Sequence, residues 1–408
     1  MRVNTENKKI KEIVDSRYIE NIFPSKEKLT NLLKKGGQLK IYTGIDPTAP
    51  HLHLGHSTNF LLLRKFQKLG HQVIFLIGDF TAQIGDPTGK SKTRKALTKE
   101  EVLKNCRNYK EMAGRILNFK SRKNPVKLEF NSKWYEKFTL KETINLMAKG
   151  TVGQMIKRDM FKKRIKEKKE IYLHELIYPL LQGYDSVMMK INIEVGGNDQ
   201  TFNMMIGRDL VKEFQNREKL VIATKLLINP KTKKKLMSKS EGNFIALDEA
   251  PKEMYGKIMA LPDEIIVPCF ELCTEVSDKE LERIKINLKK KKINPRDIKA
   301  KLAREIVTLY YNKKEAQRAE KEFNRIFKEK KLPSKIPEFK TEKEEMPILD
   351  LIFNSGLAQS KSQAKRLVLE KAVKINGEAV SDWKKKIKLK NEIIISVGKR
   401  KFIKINKL

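Results

Sequence analysis

Short apolar runs alternating with longer, helix-patterned stretches constrain this chain more than any other feature. KIYTGI (residues 40–45) has strand length and runs into the turn sequence Asp-Pro-Thr. HSTNFLLLRKFQKLG (56–70) has helical spacing and ends on Gly70, a residue suited to closing a helix. QVIFLIGDF reads as a buried strand. INIEV (191–195), followed by GGNDQ, and LVIATKLLI (220–228) read as further strands. Thr98 with Glu101 forms a capping box and predicts a long helix to about Phe119. HELIYPLLQGYDSVMM (174–189) has helical spacing, but Pro179 predicts a kink or a start there. Strands alternating with helices, joined by Gly- and Asp-rich turns, predict an α/β fold with a parallel sheet.

The pattern changes after about residue 244, where long charged helical segments dominate. KKLPSKIPEFKTEKEEMP (330–347) is rich in Pro, Lys and Glu and reads as a linker. The last stretch reads as a compact unit with strands such as NEIIISV and KFIKI near its end. No internal repeat is visible. At 408 residues the chain is long enough for two or three domains.

The formal net charge is +38. Nucleic acid is the natural partner for such a surface, although a lysine-rich proteome would also raise it. The distribution favours a partner in the second half. Residues 347–408 carry 15 basic and 5 acidic side chains, and 285–304 carry nine basic residues against Asp297 alone. Three cysteines, Cys106, Cys269 and Cys273, support neither a disulfide framework nor a zinc site. No apolar run approaches the roughly 20 residues of a membrane span, and the N-terminus has no signal-peptide core. A reducing, cytoplasmic setting is expected.

HLHLGH (51–56) holds three of the five histidines. A metal site would need further ligands at fixed spacing, and no local carboxylate cluster completes a set. His53 and His56 instead flank Gly55 where a turn becomes a helix. A helix N-terminus offers free N–H groups and a positive dipole end, so phosphate binding is the better reading. His51 reads as a surface histidine.

HLGH after GIDPTAP resembles the first signature of class I aminoacyl-tRNA synthetases. KKKLMSKSEGN (233–243) resembles the second, a Lys-Met-Ser-Lys-Ser loop. Leu236 stands where that loop has its first lysine, with Lys235 just before it; Lys239 matches the second lysine. Within the class the chain is most similar to the tyrosyl enzymes, through YTGIDPTAP, GDFTAQIGDPTGK, YPLLQGYDS and GGNDQ. SKSQAKRLVLEKAVKINGE resembles the small RNA-binding fold at the C-terminus of bacterial tyrosyl enzymes, with Ala372 in place of a customary glycine.

The resemblance implies five regions. Residues 1–228 would be a Rossmann-like parallel-sheet catalytic domain and 229–243 a mobile loop. Residues 244–329 would be a helical anticodon-binding domain, 330–346 a linker, and 347–408 a small α+β RNA-binding domain. It also implies residue roles. Tyr178, Gln182 and Asp86 would take the tyrosine ammonium, and Gln200 would orient its carboxylate. Tyr42 and Asp185 would bind the phenol. Polar groups built for a hydroxyl are left unpaired when it is missing, so such a pair rejects phenylalanine. Asp86 could equally be a turn former. Thr48, His53, His56 and Lys239, with Lys235, would handle the phosphates. Asp46, Gly55, Gly197 and Asp199 would complete the ATP site. Lys361, Ser362, Lys365 and Arg366 would meet RNA.

The implied partners are L-tyrosine, ATP with Mg²⁺, tRNA(Tyr) and a second copy of the chain, with no protein-bound metal and no membrane. Two alternatives stand beside this reading. A tryptophanyl enzyme shares the signatures but needs no phenol-binding pair. A non-catalytic RNA binder on the same scaffold would explain Leu236.

Overall fold

The computed structural model describes residues 3–88, 96–237, 244–329, 332–333, 336–390, 392–398 and 401–407. The chain clusters into two compact units, Met1–Ala316 and Gln317–Leu408.

Six strands make the sheet of the first unit: β1 (Ile19–Phe23), β2 (Lys40–Ile45), β3 (Gln72–Ile77), β4 (Lys127–Phe130), β5 (Ile193–Gly197) and β6 (Leu220–Thr224). Their order is β1-β6-β5-β2-β3-β4. The strands β6-β5-β2-β3-β4 run parallel, as the alternation predicts. At one edge β1 runs antiparallel to β6, an addition that the apolar pattern did not reveal. All five residues of β6 are buried. Strands covered on both faces read as continuous apolar runs, which is why this sheet was visible in the sequence. Its limits were less so. β5 starts at Ile193 and takes in Gly196 and Gly197, and β6 stops at Thr224, short of Ile228.

The chain leaves β2 for β3 on one side, while β5 lies on the other. Such a reversal opens a crevice beyond the carboxyl ends of the strands, where open α/β sheets bind ligands. Asp46 follows β2 there, and Asn198 follows β5.

The helix Ser57–Leu69 closes at Gly70, as expected. Thr98 and Glu101 form their capping box, but the helix Lys99–Cys106 is separate from Tyr109–Ala113. The long helix expected to Phe119 is therefore broken at Asn108, whose backbone is non-helical (φ −104°, ψ 5°). The break turns Tyr109 into the core, where its hydroxyl donates to the Ala49 carbonyl. Pro179 neither starts nor ends its helix, which runs from Leu173 to Met188. The first turn is anchored: Glu175 accepts from the Tyr172 amide at 3.1 Å and pairs with buried Arg164 at 2.7 Å. The rest packs along the helix Thr201–Gln215 and buries Tyr178, Leu180, Leu181 and Asp185. Packing of this kind outweighs one missing backbone hydrogen bond.

Helices Pro251–Met259, Ile266–Cys273, Asp278–Lys289 and Pro295–Tyr310 fill the helical region. They belong to the same compact unit as the sheet. The Tyr18 hydroxyl donates to the Thr274 carbonyl at 2.6 Å, and the Ser57 and Tyr310 hydroxyls meet at 2.6 Å, both buried.

The second unit holds β7 (Glu338–Thr341), β8 (Glu345–Pro347), β9 (Val373–Ile375), β10 (Glu378–Ala379), β11 (Lys386–Lys388), β12 (Ile393–Val397) and β13 (Lys401–Lys407). They form a five-stranded sheet, β10-β9-β12-β13-β7, and a β11-β8 pair. Helices Ile348–Asn354 and Lys361–Leu369 complete the unit. The stretch expected as a linker, 330–346, thus supplies β7 and most of β8. β7 runs parallel to β13, and Met346 is 4% exposed within the core. Edge strands carry charged side chains facing water, so composition concealed these two.

Candidate active site

A cavity of about 350 Å³ opens at the topological switch. The HLGH segment forms part of its wall. Leu54–His56 make a short 3₁₀ turn that passes directly into the helix Ser57–Leu69. The Gly55 amide donates to His53 Nδ1 at 3.2 Å, which leaves the ring proton on Nε2. His56 Nδ1 lies 3.1 Å from the amide nitrogen of His53, and the two rings are 4.1 Å apart. Burial lowers the His53 pKa to about 2, with His56 adding to the effect, and lowers that of His56 to about 4. Both imidazoles are therefore neutral at pH 7. A neutral ring can donate an N–H to a phosphate oxygen and needs no counter-ion when the phosphate leaves.

The same segment is tied to the chain beyond the second signature. Leu54 donates to the Ile245 carbonyl at 3.1 Å, and Leu247 to that of Leu52 at 2.9 Å. His51, expected at the surface without a role, sits 2.9 Å from Asp248 and is half-buried. On the near side of that motif, Lys235 Nζ pairs with Asp199 at 2.6 Å, and both residues line the cavity. Leu236 also lines it and is 7% exposed. The leucine is packed into the wall here, and the neighbouring Lys235 carries its ammonium to Asp199. Lys239 lies outside the described residues.

The deep part of the cavity is polar and closed. Asp185 is 3% exposed and accepts from Asn131 Nδ2 (3.3 Å) and Trp134 Nε1 (3.0 Å). Burial pushes its carboxyl well above the usual range, while these donors pull the other way. Tyr42 is 1% exposed, with its hydroxyl 3.1 Å from Ser186 Oγ. Burial first, then Glu194 and Asp185, raise its pKa well above that of an ordinary tyrosine. The Tyr178 hydroxyl donates to Asp46 at 2.8 Å, and Thr81 donates to the other Asp46 oxygen at 2.7 Å. Asp86 is the turn former the sequence allowed, and it also lines the cavity. It caps its own turn through the Thr88 amide (2.9 Å), and it accepts from Gln200 Nε2 (2.8 Å) on the far wall. A Cβ on Gly197 would come within 2.6 Å of Asp199 Oδ1, so a larger residue there would push the Asp199 carboxylate aside.

The structure thus brings together Tyr42, Asp46, His53, Gly55, His56, Asp86, Tyr178, Gln182, Asp185, Gly197, Asp199, Gln200 and Lys235 around one cavity. Thr48 is the exception among the described catalytic candidates. It is exposed and absent from the lining, with its amide turned back to the Asp46 carbonyl at 2.8 Å. Lys361, Ser362, Lys365 and Arg366 lie exposed on the helix Lys361–Leu369, in the second unit. Lys361 Nζ pairs with Asp350 at 2.6 Å, and Lys365 Nζ stands 4.0 Å from the Trp383 ring centre.

Sequence reasoning missed Glu194 in the lining and the residues behind it: Asn131, Trp134, Ser186, Asn203 and Lys219. Two of them left a trace. Glu194 and Lys219 are charges set within or beside apolar strand runs, where a charge needs a buried partner.

Residues 34–328 match the family model of class I tRNA synthetases (W and Y), and residues 328–405 match the SYY-like C-terminal domain of tyrosine–tRNA ligase. Tyrosine–tRNA ligase 2 of Clostridium acetobutylicum is 43% identical over 97% of this chain and 95% of its own. Tyrosine–tRNA ligase of Carboxydothermus hydrogenoformans is 44% identical over 95% and 96%. A C-terminally truncated mitochondrial tyrosyl-tRNA synthetase of Aspergillus nidulans shares the fold. It aligns with a TM-score of 0.65 at 23% identity, over 78% of this chain and 94% of that one. Fold and site define a class I aminoacyl-tRNA synthetase. Within that class the chain belongs to the tyrosine–tRNA ligase family.

Proposed function

We propose that this chain activates L-tyrosine with ATP, releasing pyrophosphate, and transfers the tyrosyl group to the 3′ end of tRNA(Tyr). The observation that carries the choice of substrate is the closed, polar end of the cavity. Asp185 and Tyr42 both line the cavity, and a phenol hydroxyl would bond to them. Phenylalanine would leave them unpaired, and an indole would not match them.

The tyrosine carboxylate attacks the α-phosphorus, and the bond to the bridging oxygen of pyrophosphate breaks. The nucleophile is already ionised, so no general base and no covalent enzyme intermediate are needed. Catalysis is positioning plus stabilisation of charge on the phosphates. Tyr178, Gln182 and Asp86 take the ammonium, with Gln200 near the carboxylate. Asp199 and Gly197 receive the ribose, alongside Asp46 and Gly55. His53 donates Nε2–H to the departing pyrophosphate, His56 orders the nucleotide, and Lys235 and Lys239 supply positive charge. Thr48 joins them only after its turn moves toward the cavity. Mg²⁺ arrives with ATP on its phosphates. Among the described residues no group of three or more His, Cys, Asp or Glu could hold a metal ion.

The helical region 244–329 reads the anticodon arm, and the helix Lys361–Leu369 adds cationic contacts to RNA. A second copy of the chain covers apolar side chains that water would otherwise meet: Leu140 (76% exposed), Val152 (64%) and Leu173 (77%). The setting is the cytoplasm; no helix among the described residues is long and apolar enough to cross a membrane.

Pyrophosphate exchange into ATP, run with each of the twenty amino acids, tests the reading. Exchange with tyrosine alone is expected. Exchange with none, or with tryptophan, overturns it.

A further inference from the structure

At the wall of the cavity, where Glu194 is part of the lining and Lys219 stands behind it, lies an ion pair with no place in the chemistry just described. Lys219, immediately before β6, is 0% exposed, and Glu194, in β5, is 3% exposed. Lys219 Nζ pairs with Glu194 Oε2 and stands 2.9 Å from Ser186 Oγ. Burial lowers the Lys219 pKa, and the facing carboxylate opposes that shift. The approach has been cleared for the ammonium. A Cβ on Gly207 would lie 2.6 Å from Nζ, so any larger residue there would displace it.

From this node two arms run to the substrate lining. One goes to Tyr42. The β2–β5 register sets Tyr42 beside Glu194, and Ser186 Oγ lies 3.1 Å from the Tyr42 hydroxyl and 3.3 Å from Glu194 Oε2. The other goes to Gln182. Its Nε2 donates to Glu194 Oε1 at 3.3 Å, and its Oε1 accepts from Asn203 Nδ2 at 2.9 Å. A carboxylate accepts hydrogen bonds and cannot donate them. Glu194 therefore dictates which end of the Gln182 amide faces it. The carbonyl end accepts from Asn203 and has a second lone pair, the polarity that an ammonium requires. A flipped amide would turn N–H groups toward a cation.

We propose that Lys219 is a positioning residue for the amino-acid substrate, acting through Glu194 to set the polarity of Gln182 and the hydroxyl of Tyr42. The inference rests on the reading of this cavity as the tyrosine site. Its signature is a split between substrates. Tyrosine meets both arms, whereas ATP meets neither.

The test is pyrophosphate exchange with full-length wild type, Lys219→Met and Lys219→Met/Glu194→Gln, each with its melting temperature. Removing the cation alone leaves a buried unpaired carboxylate. The double variant is neutral on both sides and keeps the shape, so it remains informative where the single variant does not fold. In either folded variant the KM for tyrosine should rise about tenfold or more, the size of a lost charge-assisted hydrogen bond, with the KM for ATP within about twofold. A double variant that melts like wild type and still binds tyrosine weakly separates positioning from support of the fold. An unchanged tyrosine KM in a folded variant overturns the proposal, as does a parallel rise in both KM values. Absence of tyrosine-dependent exchange in wild type overturns instead the reading on which it rests.

Discussion

The cavity and the helix Lys361–Leu369 both carry polar groups, under opposite physics. At and just behind the cavity wall Tyr42, Asp185, Glu194 and Lys219 are all at most 4% exposed, and each bonds a defined neighbour. On the helix the side chains of Lys361 and Arg366 are 61% and 69% exposed, with their partners Asp350 half-buried and Glu370 exposed. Buried groups are costly to leave unpaired, so they discriminate between ligands that differ by one hydroxyl. Exposed cations are individually weak and screened, but they add to a field that attracts a polyanion. In the proposed function, selectivity for the small substrate would belong to the first region, and salt-dependent affinity for the large one to the second.

The largest expected effect is at the phosphate end of the cavity. His53→Ala removes a preorganised donor and should lower the activation rate by about 10²–10³. Pre-steady-state adenylate formation measures this, and an unchanged rate would take His53 out of the mechanism. Next comes the phenol end. Asp185→Ala should reduce the preference for tyrosine over phenylalanine by about 10–100-fold, the size of one hydrogen bond to a charged group. The ratio of kcat/KM values in exchange reports it, and a variant that discriminates as well as wild type would reassign the phenol site.

The exposed region should behave otherwise. Replacing Lys361, Lys365 and Arg366 together by Ala should leave adenylate formation intact and weaken tRNA binding. The slope of log K against log salt should fall by up to about one per cation. A salt slope equal to that of wild type would exclude this helix from the RNA interface, and a loss of adenylate formation would erase the contrast between the regions.

The smallest effect concerns pH. Burial lowers the pKa of His71 from 6.5 to about 4, as for His56. The unfolded chain takes up these protons near pH 6.5 and the folded chain does not. The stabilising contribution is therefore complete above pH 6.5 and is lost as pH falls toward 4. Melting temperature should decline across that window. His71→Asn, which keeps an acceptor for the Leu39 amide, should flatten the decline. A curve superimposable on wild type would show that His71 contributes nothing to it.

The sequence by itself determined much about this protein. Local patterns carry local structure, so the parallel strands, the capping box at Thr98 and the helix end at Gly70 could be read directly. HLGH was legible because a turn, a glycine and a helix start are contiguous. Two signatures far apart in the chain, with the tyrosine-site motifs between them, pointed to one family. Tertiary structure decided the rest. Pro179 stays inside its helix because long-range packing outweighs a local preference. The 330–346 stretch joins the C-terminal sheet because edge strands tolerate charge. Thr48 stays out of the cavity lining, its amide bonded to the Asp46 carbonyl, a backbone contact that composition does not encode. Gln200 meets Asp86 across 114 residues, and Lys219 finds Glu194 through the neighbouring strand. A pairing between distant residues depends on strand order and register, and these follow from how the whole chain buries its apolar surface.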